Sequence, residues 1–372
     1  LELSGSNFVK LYLYFFSNKE FIMERRSFLK VVGGVTGSLA LGVQPALSSD
    51  KSTSKEQVEK VAGLPRRVLG RTDEKVSIVG FPGLALCHYE QDRCNEGIRD
   101  AFERGVNYYD VAPAYGEDGE CEIKMGIGLQ SIDRSKIFLA CKTKMRDKDG
   151  ALKELERSLT RLKTDHFDLY QLHHIRTPEE VKQALGPGGA METILKAKEQ
   201  GKIRYIGFSA HTTKGALEAM NGFRFDTVMF PINFVEMFKR EFGKAVLELA
   251  DKQGAGVLAI KPLSKGPWPQ GVERTREWWY RATETQDEAN AAVRFTLSQK
   301  QVVAGIPPSF LDLLDKAIEA GRTYQPITDA EIQKLKETAQ TCLSLFQRED
   351  ERVARGEPLN RPIYHDSPYE CC

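Results

Sequence analysis

The chain has 372 residues, 41% of them hydrophobic, which is enough to bury a large core in one or two domains. Its 53 Lys and Arg stand against 52 Asp and Glu for a formal net charge of +1. With no long basic run, it carries no electrostatic footprint for nucleic acid or an anionic membrane surface, and small molecules are the expected partners.

Residues 1–22 begin with Leu and hold an apolar run from Phe8 to Phe16, broken by Lys10 and much too short to span a bilayer. They are read as an untranslated or disordered leader, and no stable membrane span is expected. Met23 opens a different stretch, residues 23–48. Glu24-Arg25-Arg26-Ser27-Phe28-Leu29-Lys30 precedes a weakly apolar run with Gly33, Gly34, Gly37 and Gly42, then small residues around Ala46 and Ser48. This resembles a twin-arginine signal peptide, with Glu24 where Ser or Thr is usual. The resemblance implies recognition by the twin-arginine export machinery, export of the folded chain to the periplasm, and loading of any cofactor in the cytoplasm. Residues 49–63, rich in Ser, Lys and Glu, read as a linker.

From Leu64 the pattern alternates short β-branched or aromatic runs with longer amphipathic segments. Strands are predicted over Val76–Phe81, Val106–Val111, Ile137–Lys142, Phe167–His173, Ile203–Ser209, Thr227–Asn233, Gly256–Pro262 and Val302–Pro307. The helices that follow them are predicted over Asp92–Arg104, Gly119–Gln130, Gly150–Leu162, Pro178–Gln200, Lys214–Met220, Phe242–Gln253, Asp287–Ser298 and Phe310–Ala320. Such repeated units over about 250 residues predict an α/β fold, a (β/α)8 TIM barrel, spanning residues 64–325. Arg67–Thr72 is expected to form a small hairpin under the barrel floor. Residues 326–372 make an extra C-terminal helix, Thr328–Phe346, with Thr328 as N-cap and Glu331 three residues on, and a tail loosely ordered after about Glu349.

Some chemistries are excluded. Gly126-Ile127-Gly128 lies inside a helical pattern and lacks the third glycine of an open-sheet dinucleotide fingerprint, and no phosphate-binding P-loop appears. The seven cysteines (Cys87, Cys94, Cys121, Cys141, Cys342, Cys371, Cys372) form no Cys-x-x-Cys pair and no Cys/His spacing suited to zinc, so no metal is expected.

The C-terminal ends of the strands carry a chemically coherent set. Asp110 ends the second, Lys142 the third and His173 the fourth, while Tyr115 follows in the loop Val111-Ala112-Pro113-Ala114-Tyr115-Gly116. In a barrel these four converge on one mouth, where barrel enzymes keep their chemistry. A phenol is a poor acid, but an ammonium about 4 Å away is worth roughly 4 kcal/mol at an effective dielectric near 20. Lys142 thus readies Tyr115 for proton transfer, Asp110 holds Lys142 charged, and His173 donates to an oxygen that gains charge. His174 adjoins His173; alternation along a strand lets only one of them face the mouth.

Taken with Leu69-Gly70-Arg71-Thr72, Asp168-Leu169-Tyr170-Gln171-Leu172-His173, Gly207-Phe208-Ser209 and Gly305-Ile306-Pro307, the chain from Arg67 to Gly321 resembles the aldo-keto reductases. The resemblance implies an NADP or NAD cofactor lying across the mouth and hydride transfer to an aldehyde or ketone, or from the corresponding alcohol, with Tyr115 as proton donor. It places cofactor contacts at Ser209, Met229, Ile260, Lys261, Pro262, Leu263, Ile306, Ser309 and Lys316. Met229 stands where the family commonly has Gln against the nicotinamide amide, Ala210 where Asn is frequent, and Ile260 where an aromatic often stacks. The basic clamp for a 2′-phosphate is reduced to Ser309 and Lys316. These departures leave an alternative: a dinucleotide-binding barrel of low turnover, acting as a redox sensor or partner-binding subunit. Trp268, Trp278, Trp279 and Tyr280, in the loop Ser264–Gln286, are expected either to lid a substrate or to pack on the outer helices. His211 is expected to be structural.

Overall fold

The structure, a computed structural model, describes residues 58–359. The leader, the signal-like stretch, most of the linker and the Cys371-Cys372 tail lie outside them.

Two strands at the start, β1 (Lys60–Val61) and β2 (Leu64–Val68), pair with each other antiparallel, and β2 pairs again with β3 (Lys75–Ser77). A strand at Lys60–Val61 therefore falls within the stretch read as linker. The turn between β2 and β3 places Leu69 and Val76 in the barrel lumen as a floor. Contact there is close: a Cβ on Gly70 would run into the backbone of Gly256, so only glycine fits.

The barrel strands are β4 (Phe81–Pro82), β5 (Tyr108–Asp110), β6 (Phe138–Thr143), β7 (Phe167–Ile175), β8 (Ile203–Ala210), β9 (Thr227–Pro231), β10 (Gly256–Ile260) and, beyond the hairpin strands β11 (Ser264–Pro267) and β12 (Tyr280–Ala282), β13 (Val302–Ile306). Neighbours in this order pair parallel. Gly305 closes the ring, donating to Ile78 O at 2.9 Å and accepting from Gly80 N at 3.0 Å. A (β/α)8 barrel is thus the fold. The predicted single strand Val76–Phe81 divides: Ser77 N donates to Asn107 Oδ1 and Ser77 Oγ donates to Val79 O, each at 2.7 Å, so the chain leaves the floor hairpin before joining the barrel.

The helices in chain order are α1 (Gln91–Glu103), α2 (Glu120–Gly128), α3 (Lys148–Arg161), α4 (Pro178–Leu185), α5 (Ala190–Glu199), α6 (Thr213–Gly222), α7 (Phe234–Arg240), α8 (Lys244–Gln253), α9 (Gln286–Leu297), α10 (Leu311–Arg322), α11 (Asp329–Gln340) and α12 (Gln347–Ala354). The single helix predicted over Pro178–Gln200 is two, because Gly186-Pro187-Gly188-Gly189 cannot continue a helical turn. Asn233, predicted to end a strand, instead caps α7 by accepting from Glu236 N at 3.0 Å. After Thr328 and Glu331 form the expected capping box, the chain adds α12 where loose structure was expected. Its face carries Val353, and Phe346 just before it packs into the core.

Candidate active site

The site forms where β5, β6, β7 and β8 end together. Asp110, the last residue of β5, is buried, and Lys142 in β6 is fully buried beside it. Lys142 Nζ donates to Asp110 Oδ2, to Val111 O at 3.1 Å and to Tyr115 Oη at 3.2 Å. One ammonium therefore spends its three protons on three fixed acceptors. Asp110 Oδ1 also accepts from Tyr108 Oη at 3.4 Å. Burial raises the Asp110 carboxyl above its ordinary value, and Lys142 opposes that rise.

Tyr115 reaches this point because its loop turns tightly: its N–H bonds Ala112 O at 3.0 Å, and Gly116 follows with φ +72°. Opposite Asp110, a Cβ on Gly83 would strike the Asp110 carbonyl, so glycine there lets the first loop pack against the β5 end. The Tyr115 and His173 rings meet edge to face at 5.5 Å. Burial, and then the charge of Lys142, drives the His173 imidazole well below its ordinary pKa, so it is neutral and has one N–H to give.

His173 and His174 part company by a break in regularity. The β7–β8 register shifts between Leu172 and Ile175, and His174 takes a left-handed φ of +57°. His174 N donates to Ser209 Oγ at 2.7 Å while its ring turns to His211. His173 is left lining the mouth.

The cavity at the mouth is bounded by Tyr115, His173, Ser209, His211, Met229 and Ile260, with Asp110 at its base. Lys261, Ile306 and Ser309 also line it; Pro262, Leu263 and Lys316 do not. Pro262 sits against Gly305, Leu263 is core, and Lys316 bonds Asp312 Oδ2 at 3.3 Å on the outer side of α10. His211, expected to be structural, lines the cavity as well. The alternation of β8 could have placed it, since it lies two residues after Ser209.

A strap closes the mouth. β11 and β12 pair antiparallel, and Trp278, Trp279 and Tyr280 are buried along the cavity wall rather than among the outer helices alone. Arg276 fastens the strap: it bonds Glu284 at 2.5 Å and grips Asp312 with two bonds of 3.0 and 2.8 Å, its guanidinium 4.9 Å from the Phe310 ring centre. The free space left is ≈ 70 Å³. Ordinary ligand sites measure about 300–1,000 Å³, so the space under the strap is narrow.

The donor set fits a nicotinamide cofactor in kind. His173 Nδ1 and His211 Nδ1 are buried at the mouth with no hydrogen-bond partner, and Ser209 keeps its own O–H to donate. Among the described residues no group of three or more His, Cys, Asp or Glu could hold a metal ion.

Comparisons with known proteins show the family and the fold. The family model described as the Aldo/keto reductase family matches residues 88–302. An oxidoreductase of Bacillus subtilis (strain 168), YqkF, is 27% identical over 322 residues, covering 80% of this chain and 98% of its own. The aldo-keto reductase YhdN of the same organism is 31% identical over 212 residues, 53% of this chain and 55% of its own. Among solved structures, an aldo-keto reductase from Bacillus halodurans in its holo form superposes with a TM-score of 0.62 at 22% identity, covering 77% of this chain and 99% of that one.

Proposed function

Since this chain belongs to the aldo/keto reductase family, whose members are oxidoreductases of carbonyl compounds, we propose that it interconverts an aldehyde or ketone and its alcohol at the Tyr115 mouth. The observation that carries this reading is the 3.2 Å contact between Lys142 Nζ and Tyr115 Oη, with Asp110 bound to the same ammonium. A nicotinamide dinucleotide, when bound, supplies or accepts the hydride. Everything else falls to the chain. Tyr115 gives its phenolic proton to the carbonyl oxygen, and Lys142 stabilises the phenolate left behind. Asp110 keeps the ammonium fixed in a buried place where it would otherwise be costly. His173, neutral, donates to the same carbonyl oxygen without adding a positive charge that would compete with Tyr115. In the oxidising direction Tyr115 takes the proton back.

Ser209, Met229, Ile260, Lys261, Ile306 and Ser309 are the cavity residues that would hold the cofactor. The test is turnover of a panel of aldehydes and ketones by the full chain with NADPH and with NADH, beside Tyr115→Phe. Tyr115-dependent turnover supports the reading. Dinucleotide binding with no turnover would favour a sensor or partner-binding barrel, a reading that Met229 and Ile260 on the cavity wall also support.

We also propose export through Arg25 and Arg26, on the strength of their sequence context. Replacing both with Lys should hold the protein in the cytoplasmic fraction, and unchanged fractionation would sink the proposal.

A further inference from the structure

His211 is placed with unusual care for a residue that bonds nothing through Nδ1. It follows β8 directly, and its backbone N–H is tied to Ile175 O at 3.3 Å. Its ring is clamped between His174, edge to face at 4.5 Å, and Phe346, with centres 5.5 Å apart. Phe346 comes from the segment leading into α12, so an element distant in sequence fixes the orientation of this imidazole. The side chain is 4% exposed, and Nδ1 is buried without a partner beside the cavity that also holds Tyr115 and His173. A buried polar atom left unpaired is unfavourable, and it persists where a ligand completes it.

The chemistry of that ligand follows from the surroundings. Burial, and next the charge of Lys261, lowers the His211 pKa well below its ordinary value, so the ring is neutral. A neutral imidazole has one N–H and one lone pair, which suits a neutral group offering both a donor and an acceptor. An anion would be served instead by the Lys261 ammonium. The neighbouring wall provides little else: Met229 and Ile260 are apolar, and Ala210 has no polar atom. Ser209, two residues before His211, adds a hydroxyl whose Oγ already accepts from His174 N.

We propose that His211 hydrogen-bonds the carboxamide of the nicotinamide, together with Ser209, in place of the amide side chains that Met229 and Ala210 do not provide. This rests on the oxidoreductase reading above and assigns His211 to binding and orienting the ring, not to proton transfer. The clamp by His174 and Phe346 makes the contact preorganised, since the imidazole loses no rotamer freedom when the ligand arrives.

The experiment is a fluorescence titration of the full chain with two matched pairs of ligands: NADH against ADP-ribose, and NADPH against 2′-phospho-ADP-ribose. The second member of each pair lacks the nicotinamide. His211→Phe keeps the packing against His174 and Phe346 but removes the hydrogen bond. It should weaken the reduced dinucleotides about five- to tenfold while leaving the truncated ligands unchanged. His211→Asn, whose amide oxygen falls near the Nδ1 position, should recover most of the affinity. Equal weakening of both members of a pair would mean that His211 serves the fold only, and unchanged NADH and NADPH affinity in His211→Phe would overturn the contact outright. If the wild-type chain binds none of the four ligands, the oxidoreductase reading itself fails, and this inference fails with it.

Discussion

Lys142 Nζ lies 3.2 Å from Tyr115 Oη while bound to Asp110 in a site that water does not reach, Lys142 being fully buried. Stability and chemistry are coupled in this ion pair, and the two can be separated by mutation. Lys142→Met leaves the Asp110 carboxylate buried without its cation, which costs about 3–5 kcal/mol. Asp110 already has a raised pKa, so removing the ammonium that opposes the rise pushes it further up. A raised carboxyl stabilises most at low pH and loses that contribution as pH rises through its folded value. The Lys142→Met penalty should therefore be larger at pH 8 than at pH 5, and Asp110→Asn in the same chain should restore stability without restoring turnover. Urea unfolding at both pH values checks this.

Tyr115→Phe removes one hydroxyl at a half-buried position and should leave the fold intact. Its effect should fall on turnover alone, by a factor of about 10²–10⁴. Steady-state rates with a matched circular dichroism spectrum would decide the matter; a drop of less than tenfold would argue that another group carries the proton.

Three buried imidazoles, His173, His174 and His211, all have pKa values lowered well below 6.5, with burial as the largest cause in each. In the unfolded chain they titrate near 6.5, so the unfolded state binds more protons as pH falls below that value. Their contribution to stability is whole above pH 6.5 and is lost on acidification, at up to about 1.4 kcal/mol per pH unit for each ring. Wild type and His211→Phe should thus converge in stability as pH drops from 7.5 to 5. Denaturant midpoints that stay parallel across this range would contradict it.

Glu349 behaves in the opposite sense. Both of its oxygens are buried without hydrogen-bond partners, and burial pushes its pKa up to about 8, with Arg176 opposing and Glu180 and Asp350 reinforcing the rise. Its protonated form fits the fold, so its contribution is present below pH 4.5 and is lost as pH rises through 8. Glu349→Gln should match wild type near pH 5 and exceed it by on the order of 4 kcal/mol at pH 9. A thermal scan across that range reads the difference directly.

Arg276 holds the strap over the mouth through Asp312 and Glu284. Arg276→Gln breaks the charge-assisted hydrogen bonds to Glu284 and Asp312 at a part-buried site, which should loosen the strap without unfolding the barrel. Chymotrypsin cleavage after Trp278 or Trp279 should accelerate about tenfold for each 1.4 kcal/mol lost from the closed state. An unchanged cleavage rate would mean that the aromatic packing alone holds the strap.

The barrel was legible from sequence because its signals are local. Runs such as Phe167–His173 and Ile203–Ser209 are bounded by helical patterns, and each strand end carries its polar residue at a fixed place in the chain. The failures were local signals read without their neighbours. Pro178–Gln200 keeps a helical period across a break that Gly186-Pro187-Gly188-Gly189 imposes, and Val76–Phe81 is uniform in character although its two ends belong to different sheets.

The sequence by itself determined the succession of strands and helices around the barrel, the barrel class, and the placing of Asp110, Lys142 and His173 near strand ends with Tyr115 in the loop after the second, since periodicity and strand-end position depend on residues near one another in the chain. Only the tertiary structure shows how His173 comes to face the mouth and His174 to turn away, through a register shift and a left-handed residue that no alternation rule foresees. It also decided that Lys316 is taken up by Asp312 and that Arg276 locks an aromatic strap across the entrance. Each of those outcomes depends on side chains brought together from remote parts of the chain, where packing and burial, not local pattern, fix the direction of a side chain.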